Sequence, residues 1–217
     1  MKNILIVLTS GLLLFTNCQS RDFKSVTVKD EVLSEVDPSR RQNLDEARAI
    51  IAKGNTAFNK SDFGEAVTLS KEANTKVETA EGYALLGAAE YRLGEYKSSK
   101  EAYILGDRLD PDNQKILIGL GTVQGTLGEY EESVITYQKL AKLNPEEPVY
   151  KYKIGTLLKL QRKFDESYVT LKPLEEEKDF PYPVELLNQL GDVCLELKKY
   201  DEAEAYFAKA EKLQPET

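Results

Sequence analysis

The residues that could do chemistry in this 217-residue chain are few, and histidine is absent altogether. That removes the commonest general base, the usual metal ligand and most nucleophile-activating pairs. Neighbouring carboxylates stand at Glu131-Glu132 and Asp201-Glu202, the residue type that glycoside hydrolysis employs in pairs. Each pair falls where a helix is expected to begin, however, and carboxylates there favour the positive end of the helix dipole. Gly119, Gly121 and Gly125 form GxGxxxG, one residue longer than a dinucleotide-binding loop, and no strand precedes them. Cys194 occupies an inward position of an expected helix and reads as a buried free thiol. No catalytic constellation emerges, so the chain is not expected to be an enzyme, nor to hold a metal or cofactor. Asp and Glu outnumber Lys and Arg 37 to 29, giving a net charge of −8. The basic residues are scattered, which argues against a nucleic-acid partner.

The organisation that positions these residues is an internal repeat. A Gly, an aromatic nine residues on, and an Ala or Ser three further recur five times. The sets are Gly54/Phe63/Ala66, Gly87/Tyr96/Ser99, Gly121/Tyr130/Ser133, Gly155/Phe164/Ser167 and Gly191/Tyr200/Ala203, with glycines spaced 33, 34, 34 and 36 residues apart. Residues 115–147 read as two amphipathic helices joined by a turn at Leu127-Gly128 and closed by Asn144-Pro145. A period of this length marks a repeat protein. The units run 47–79, 80–113, 114–147, 148–183 and 184–217, and they resemble the tetratricopeptide repeat. The second gives Tyr83, Leu86-Gly87, Tyr96, Ser99, Tyr103, Gly106 and Pro111. The fifth gives Leu187, Leu190-Gly191, Tyr200, Ala203, Phe207, Ala210 and Pro215. The resemblance implies an all-α, right-handed superhelical solenoid of antiparallel helix pairs over residues 38–217. Small residues let two helices approach closely, and an aromatic fills the gap between one hairpin and the next.

Three places depart from regularity. Asp37-Pro38-Ser39 signals a helix start, and the helix expected over 44–58 carries Leu44, Ala47, Ile50 and Ile51 as an apolar stripe. Pro173 falls inside the second helix of unit four and should end or kink it near Lys172, at a cost of about 3 kcal/mol against an unbroken helix. The segment after it is either an acidic turn and extended linker, or a landmark that offers Phe180 and Tyr182 to a partner. At the far end no polar capping helix follows unit five before Thr217. Either Tyr206 and Phe207 lie in a tolerable exposed patch, or that end is a contact surface, for another copy among other partners.

Met1-Lys2 followed by an apolar run over 4–15 is too short to span a bilayer, which takes about 20 residues, and fits a signal peptide. Leu14-Phe15-Thr16-Asn17-Cys18 resembles the lipobox of bacterial lipoproteins, with Phe15 and Asn17 departing from its usual aliphatic and small residues. The resemblance implies removal of 1–17, lipidation of Cys18 and a tether over 18–37. It also implies a membrane-anchored protein of the cell envelope. The alternative is an ordinary secretory signal or uncleaved anchor with a chance cysteine. A lipidated Cys18 leaves Cys194 without a disulfide partner. Gln19-Ser20 lacks the aspartate that retains some lipoproteins at the inner membrane, so the outer membrane is expected.

In tetratricopeptide proteins the first helices line a concave groove that holds peptides. Carried onto this sequence, the groove residues include Arg48, Asn55 and Phe58, then Tyr91 and Arg92, then Lys115 and Thr122. Tyr152 and Lys159 follow in unit four, and Asn188 and Asp192 in unit five, where the groove turns acidic. The bland alternative is a solvated face. The expected function is a lipid-anchored scaffold that binds proteins of the envelope, as an assembly or pilot factor for outer-membrane or secretion machinery. A non-catalytic adaptor docking peptidoglycan-processing enzymes is the alternative.

Overall fold

A computed structural model describes residues 6–7, 13–14 and 37–213. The expected signal peptide, Cys18, the tether and the last four residues therefore lie outside the described residues, apart from two short strands. These are β1 (Ile6–Val7) and β2 (Leu13–Leu14), paired antiparallel with Ile6 opposite Leu14. From Pro38 onward the described chain is helical, in ten α-helices joined by short turns: α1 (Pro38–Asn59), α2 (Phe63–Lys76), α3 (Ala80–Arg92), α4 (Tyr96–Leu109), α5 (Gln114–Thr126), α6 (Tyr130–Leu143), α7 (Pro148–Leu160), α8 (Phe164–Leu171), α9 (Pro183–Glu196) and α10 (Tyr200–Leu213). Each packs on the next, and among the first helices α1 meets α3, α3 meets α5, and α7 meets α9. That is the expected stack of antiparallel pairs.

The helices start where capping chemistry puts them. Asp37 accepts a hydrogen bond from the Ser39 amide at 3.0 Å and Pro38 takes the first helical position, so α1 begins two turns before its apolar stripe. Thr79, Asn113 and Glu147 cap α3, α5 and α7 in the same way, satisfying amides that would otherwise lack partners.

Inside each pair one close contact recurs. A methyl group placed on Gly87, Gly121, Gly155 or Gly191 would meet Tyr103, Tyr137, Leu171 or Phe207 at 2.5–2.9 Å. The large residue sixteen positions after each glycine thus lies directly on its backbone. In the three central units the following serine adds a bond across the pair. Ser99, Ser133 and Ser167 Oγ donate to the carbonyls of Gly87, Gly121 and Gly155 at 2.6–2.8 Å. The serines that depart from the family's alanine are buried cross-braces. The aromatic that fills the gap between hairpins is Tyr103: a Cβ on Gly119, in the next unit, would come within 2.2 Å of its ring. The repeating aromatic nine residues after the glycine does something else. It opens each second helix at the edge of the stack, and Tyr200 is 62% exposed there.

Unit four is irregular at the expected place. α8 stops at Leu171 after eight residues, where the other second helices run fourteen, and Lys172–Glu176 continues as a 3-10 turn containing Pro173. The linker then folds inward. Leu174 and Phe180 are buried with Tyr152, Leu186, Leu187, Leu190 and Tyr206 in the largest hydrophobic cluster. This bears on two of the alternatives that the sequence leaves open. Phe180 is not presented to a partner, although Tyr182 remains exposed. Tyr206 is not in an exposed patch but buried, with Phe207 half-buried against Gly191.

Candidate functional site

The residues singled out for the groove all lie on the first helices α1, α3, α5, α7 and α9, and contacts between units tie several of them together. Arg48, Asn55 and Lys115 are exposed. Phe58 is half-buried, its ring edge-on to Phe63 at 5.2 Å, and the Arg92 guanidinium lies over Phe63 at 4.4 Å and Phe58 at 5.9 Å. Such a stack holds an arginine flat while its edge stays open to solvent. Tyr91 packs on Tyr96 at 5.2 Å, and its hydroxyl lies 3.1 Å from Thr126 Oγ1 in the next unit. Thr122 bonds back to the Ile118 carbonyl at 2.7 Å and meets the Tyr137 hydroxyl at 2.9 Å.

Two of the residues behave differently from expectation. Tyr152 is only 8% exposed. Its ring is enclosed by Phe180 at 5.5 Å and Tyr182 at 5.9 Å, and its hydroxyl accepts from Gln189 Nε2 at 2.9 Å. Burial pushes that phenol above its ordinary range. It is a core residue because the linker after Pro173 folds over it, which the repeat register alone does not show. Lys159 is spoken for as well: its ammonium pairs with Asp192 of unit five at 2.9 Å, and Arg162 approaches Glu196 at 3.8 Å. The acidic character expected of unit five is thus partly neutralised from unit four. Asn188 is half-buried beside them. The same layer also exposes Ile118, Leu160 and Leu195.

The carboxylate pairs, the glycine run and Cys194 occupy structural positions. Glu131-Glu132 and Asp201-Glu202 occupy the first turns of α6 and α10. Gly119, Gly121 and Gly125 lie on one helix, α5, and the first two each receive a tyrosine ring. Cys194 is fully buried and its thiol is pushed up chiefly by that burial, so it is held in its unreactive form. Among the described residues no cluster of metal-ligating side chains occurs.

Sequence reasoning missed the ionic staples between second helices. Lys139 reaches back to Asp107 at 3.4 Å and Asp112 at 3.0 Å, and Lys209 reaches back to Glu175 at 2.5 Å. The signal was present, since both lysines hold the same place in their units, but pairing across about 34 residues shows only once the register is laid out in three dimensions.

Family profiles for the tetratricopeptide repeat match residues 80–113, 114–147 and 184–217, and the structure places helix pairs of the same kind over the intervening units. This chain is a tetratricopeptide-repeat protein. Solved structures with the same fold include MamA AMB-1, 21% identical with a TM-score of 0.67 over 77% of this chain and 91% of that one. MamA from Desulfovibrio magneticus RS-1 is 16% identical, with a TM-score of 0.72 over 78% of this chain and 95% of its own. YrrB, described as a tetratricopeptide-repeat protein with an unusual peptide-binding site, is 18% identical, with a TM-score of 0.71 over 82% and 93%. No curated protein matches the chain.

Proposed function

We propose that this tetratricopeptide-repeat protein is a lipid-anchored scaffold of the cell envelope, which binds another protein along the layer of its first helices. One observation carries the binding reading. That layer keeps aliphatic side chains in solvent (Ile118, Leu160, Leu195) beside a stacked guanidinium and an exposed ammonium, Arg92 and Lys115. A mixed surface of this kind suits a chain segment with an apolar centre and polar flanks. The peptide-binding site named for YrrB, which shares the fold, supports the same reading. The anchor rests on Cys18 at the end of the leading apolar run, and the outer membrane on Gln19-Ser20 behind it. A scaffold so placed suits an assembly or pilot factor for outer-membrane or secretion machinery.

A photoreactive residue at Leu160, or in place of Tyr91, tests the scaffold in intact cells. Tyr152 is unsuitable because it is buried. One dominant envelope protein should be crosslinked, and Arg92→Glu with Lys115→Glu should abolish the adduct. Adducts that survive the double reversal, or none at all, would sink the reading. Cys18→Ser should separately eliminate labelled palmitate from the protein and release it from membranes. If it leaves both unchanged, the anchor is wrong while the scaffold stands.

A further inference from the structure

The second helices make the other layer of the stack, and a furrow floored by a first helix runs between each successive pair. Two of the four furrows are bridged from one second helix to the next, and in a third a side chain closes onto the floor helix. Lys71 on α2 reaches Glu90 on α3 at 3.4 Å. Lys100 on α4 pairs with Glu129, at the head of α6, at 2.5 Å. Tyr168 on α8 donates to Glu202 on α10 at 2.7 Å, with the Lys199 ammonium 4.2 Å over its ring.

Among the described residues nothing bridges the furrow between α6 and α8. Val134 holds the place that Lys100 and Tyr168 hold in the neighbouring units, and it opens a cavity of about 520 Å³. Its rims carry Ile135, 66% exposed, and Val169, 70% exposed, the two most exposed large hydrophobic residues described. On its wall the Oε1 atom of Gln161 is buried without a hydrogen-bond donor, a state that costs free energy until a donor arrives. Glu131 and Glu166 flank the opening and pair with none of the described cations, against a single lysine, Lys163.

We propose that this furrow docks a segment of a partner protein carrying two neighbouring aliphatic side chains flanked by lysine or arginine. The aliphatic groups cover Ile135, Val169 and Val134, a donor from the segment satisfies Gln161, and the basic flanks meet Glu131 and Glu166. This site is independent of the lipid anchor and shares no residue with the groove candidates on the first helices.

A displayed library of random twelve-residue peptides, selected on the full-length protein, tests it without knowledge of the natural partner. The expected result is enrichment of aliphatic pairs with basic flanks. Binding of those peptides should weaken at least tenfold in Val169→Asp and in Glu166→Lys, and hold in Tyr91→Ala. Val169 is exposed, so its variant should melt as the wild type does. Should it fail to fold, Ile135→Asp on the other rim gives the same reading. Peptides with acidic flanks, peptides lost in Tyr91→Ala but kept in Val169→Asp, or no enrichment would each overturn the proposal. So would a dimer in sedimentation that Val169→Asp converts to monomer, since the occupant would then be a second copy. Competition by a peptide of residues 23–29, where Val26 and Val28 stand between Lys24 and Lys29, would overturn it in favour of the chain's own segment.

Discussion

At the scale of single residues, this stack is organised by what sits on the glycine backbone and by what the hydroxyl twelve residues later, on the facing helix, does. Ser133 Oγ bonds the Gly121 carbonyl at 2.6 Å while the Tyr137 ring rests on Gly121. Ser133→Ala removes one buried hydrogen bond but leaves a residue that units one and five already use at Ala66 and Ala203, so it should cost about 1 kcal/mol. Gly121→Ala forces a methyl into the ring and should cost more, about 1–3 kcal/mol. Urea unfolding of both variants checks the order, and equal costs would mean that the ring gives way freely. Glu90 supplies a pH dependence. Its carboxyl is raised above the ordinary range chiefly by burial, with Lys71 opposing. A carboxyl whose folded pKa is raised costs nothing while protonated in both states. It destabilises as pH rises from the unfolded value, about 4.3, through the folded one. Glu90→Gln is therefore expected to raise the melting temperature at pH 7, with the gain fading as pH falls towards about 4. A constant gain across that range would refute the burial account.

Elements end by a rule that the sequence shows only in part. All five first helices close with the same bond, an amide reaching the carbonyl five residues back, as from Glu95 to Glu90 and from Lys199 to Cys194. This is a Schellman closure, which needs one residue with positive φ. Gly94 and Gly128 supply it at φ of 82° and 80°, and sequence reading finds the turn at Gly128 for that reason. Ser61, Arg162 and Lys198 adopt it at 61–64°, where nothing in the residue type announces it. At those turns only the repeat register marks the helix end. Lys198→Gly should stabilise the protein by about 0.5–1 kcal/mol, and Gly94→Ala should destabilise it by a similar amount although no atom lies within 4 Å of the added methyl. Thermal melts of the two variants should move in opposite directions. The broken helix α8 was legible for a related reason, because Pro173 cannot continue a hydrogen-bond ladder. The direction of the chain after it was not legible. Whether Phe180 faces solvent or core depends on the space beneath Tyr152, which no local pattern encodes, and so the repeat register alone puts Tyr152 in the groove although it belongs to the core.

For the whole molecule, the irregular junction holds the largest hydrophobic cluster among the described residues. A solenoid divides its stability into unit terms and interface terms between neighbours, and a shortened helix followed by a linker would ordinarily mark a weak interface. Here the linker residues Leu174 and Phe180 enter one cluster with Tyr152 and Leu171 on one side and Leu186, Leu190, Tyr206 and Ala210 on the other. Lys172 and Lys209 both close on Glu175 above it. Units four and five therefore share a core, while unit three meets unit four through a separate cluster centred on Leu140, Ile154 and Leu157. Leu174→Ala empties space in the shared core and should cost about 2–5 kcal/mol. Because that core belongs to both units, the loss should appear in hydrogen exchange as faster opening of α7 to α10 together, with α3 to α5 keeping their protection. If α9 and α10 alone opened, the linker would be a hinge and unit five a separate body. If every helix opened equally, the stack would unfold as one, and the distinction between its two clusters would carry no energetic weight.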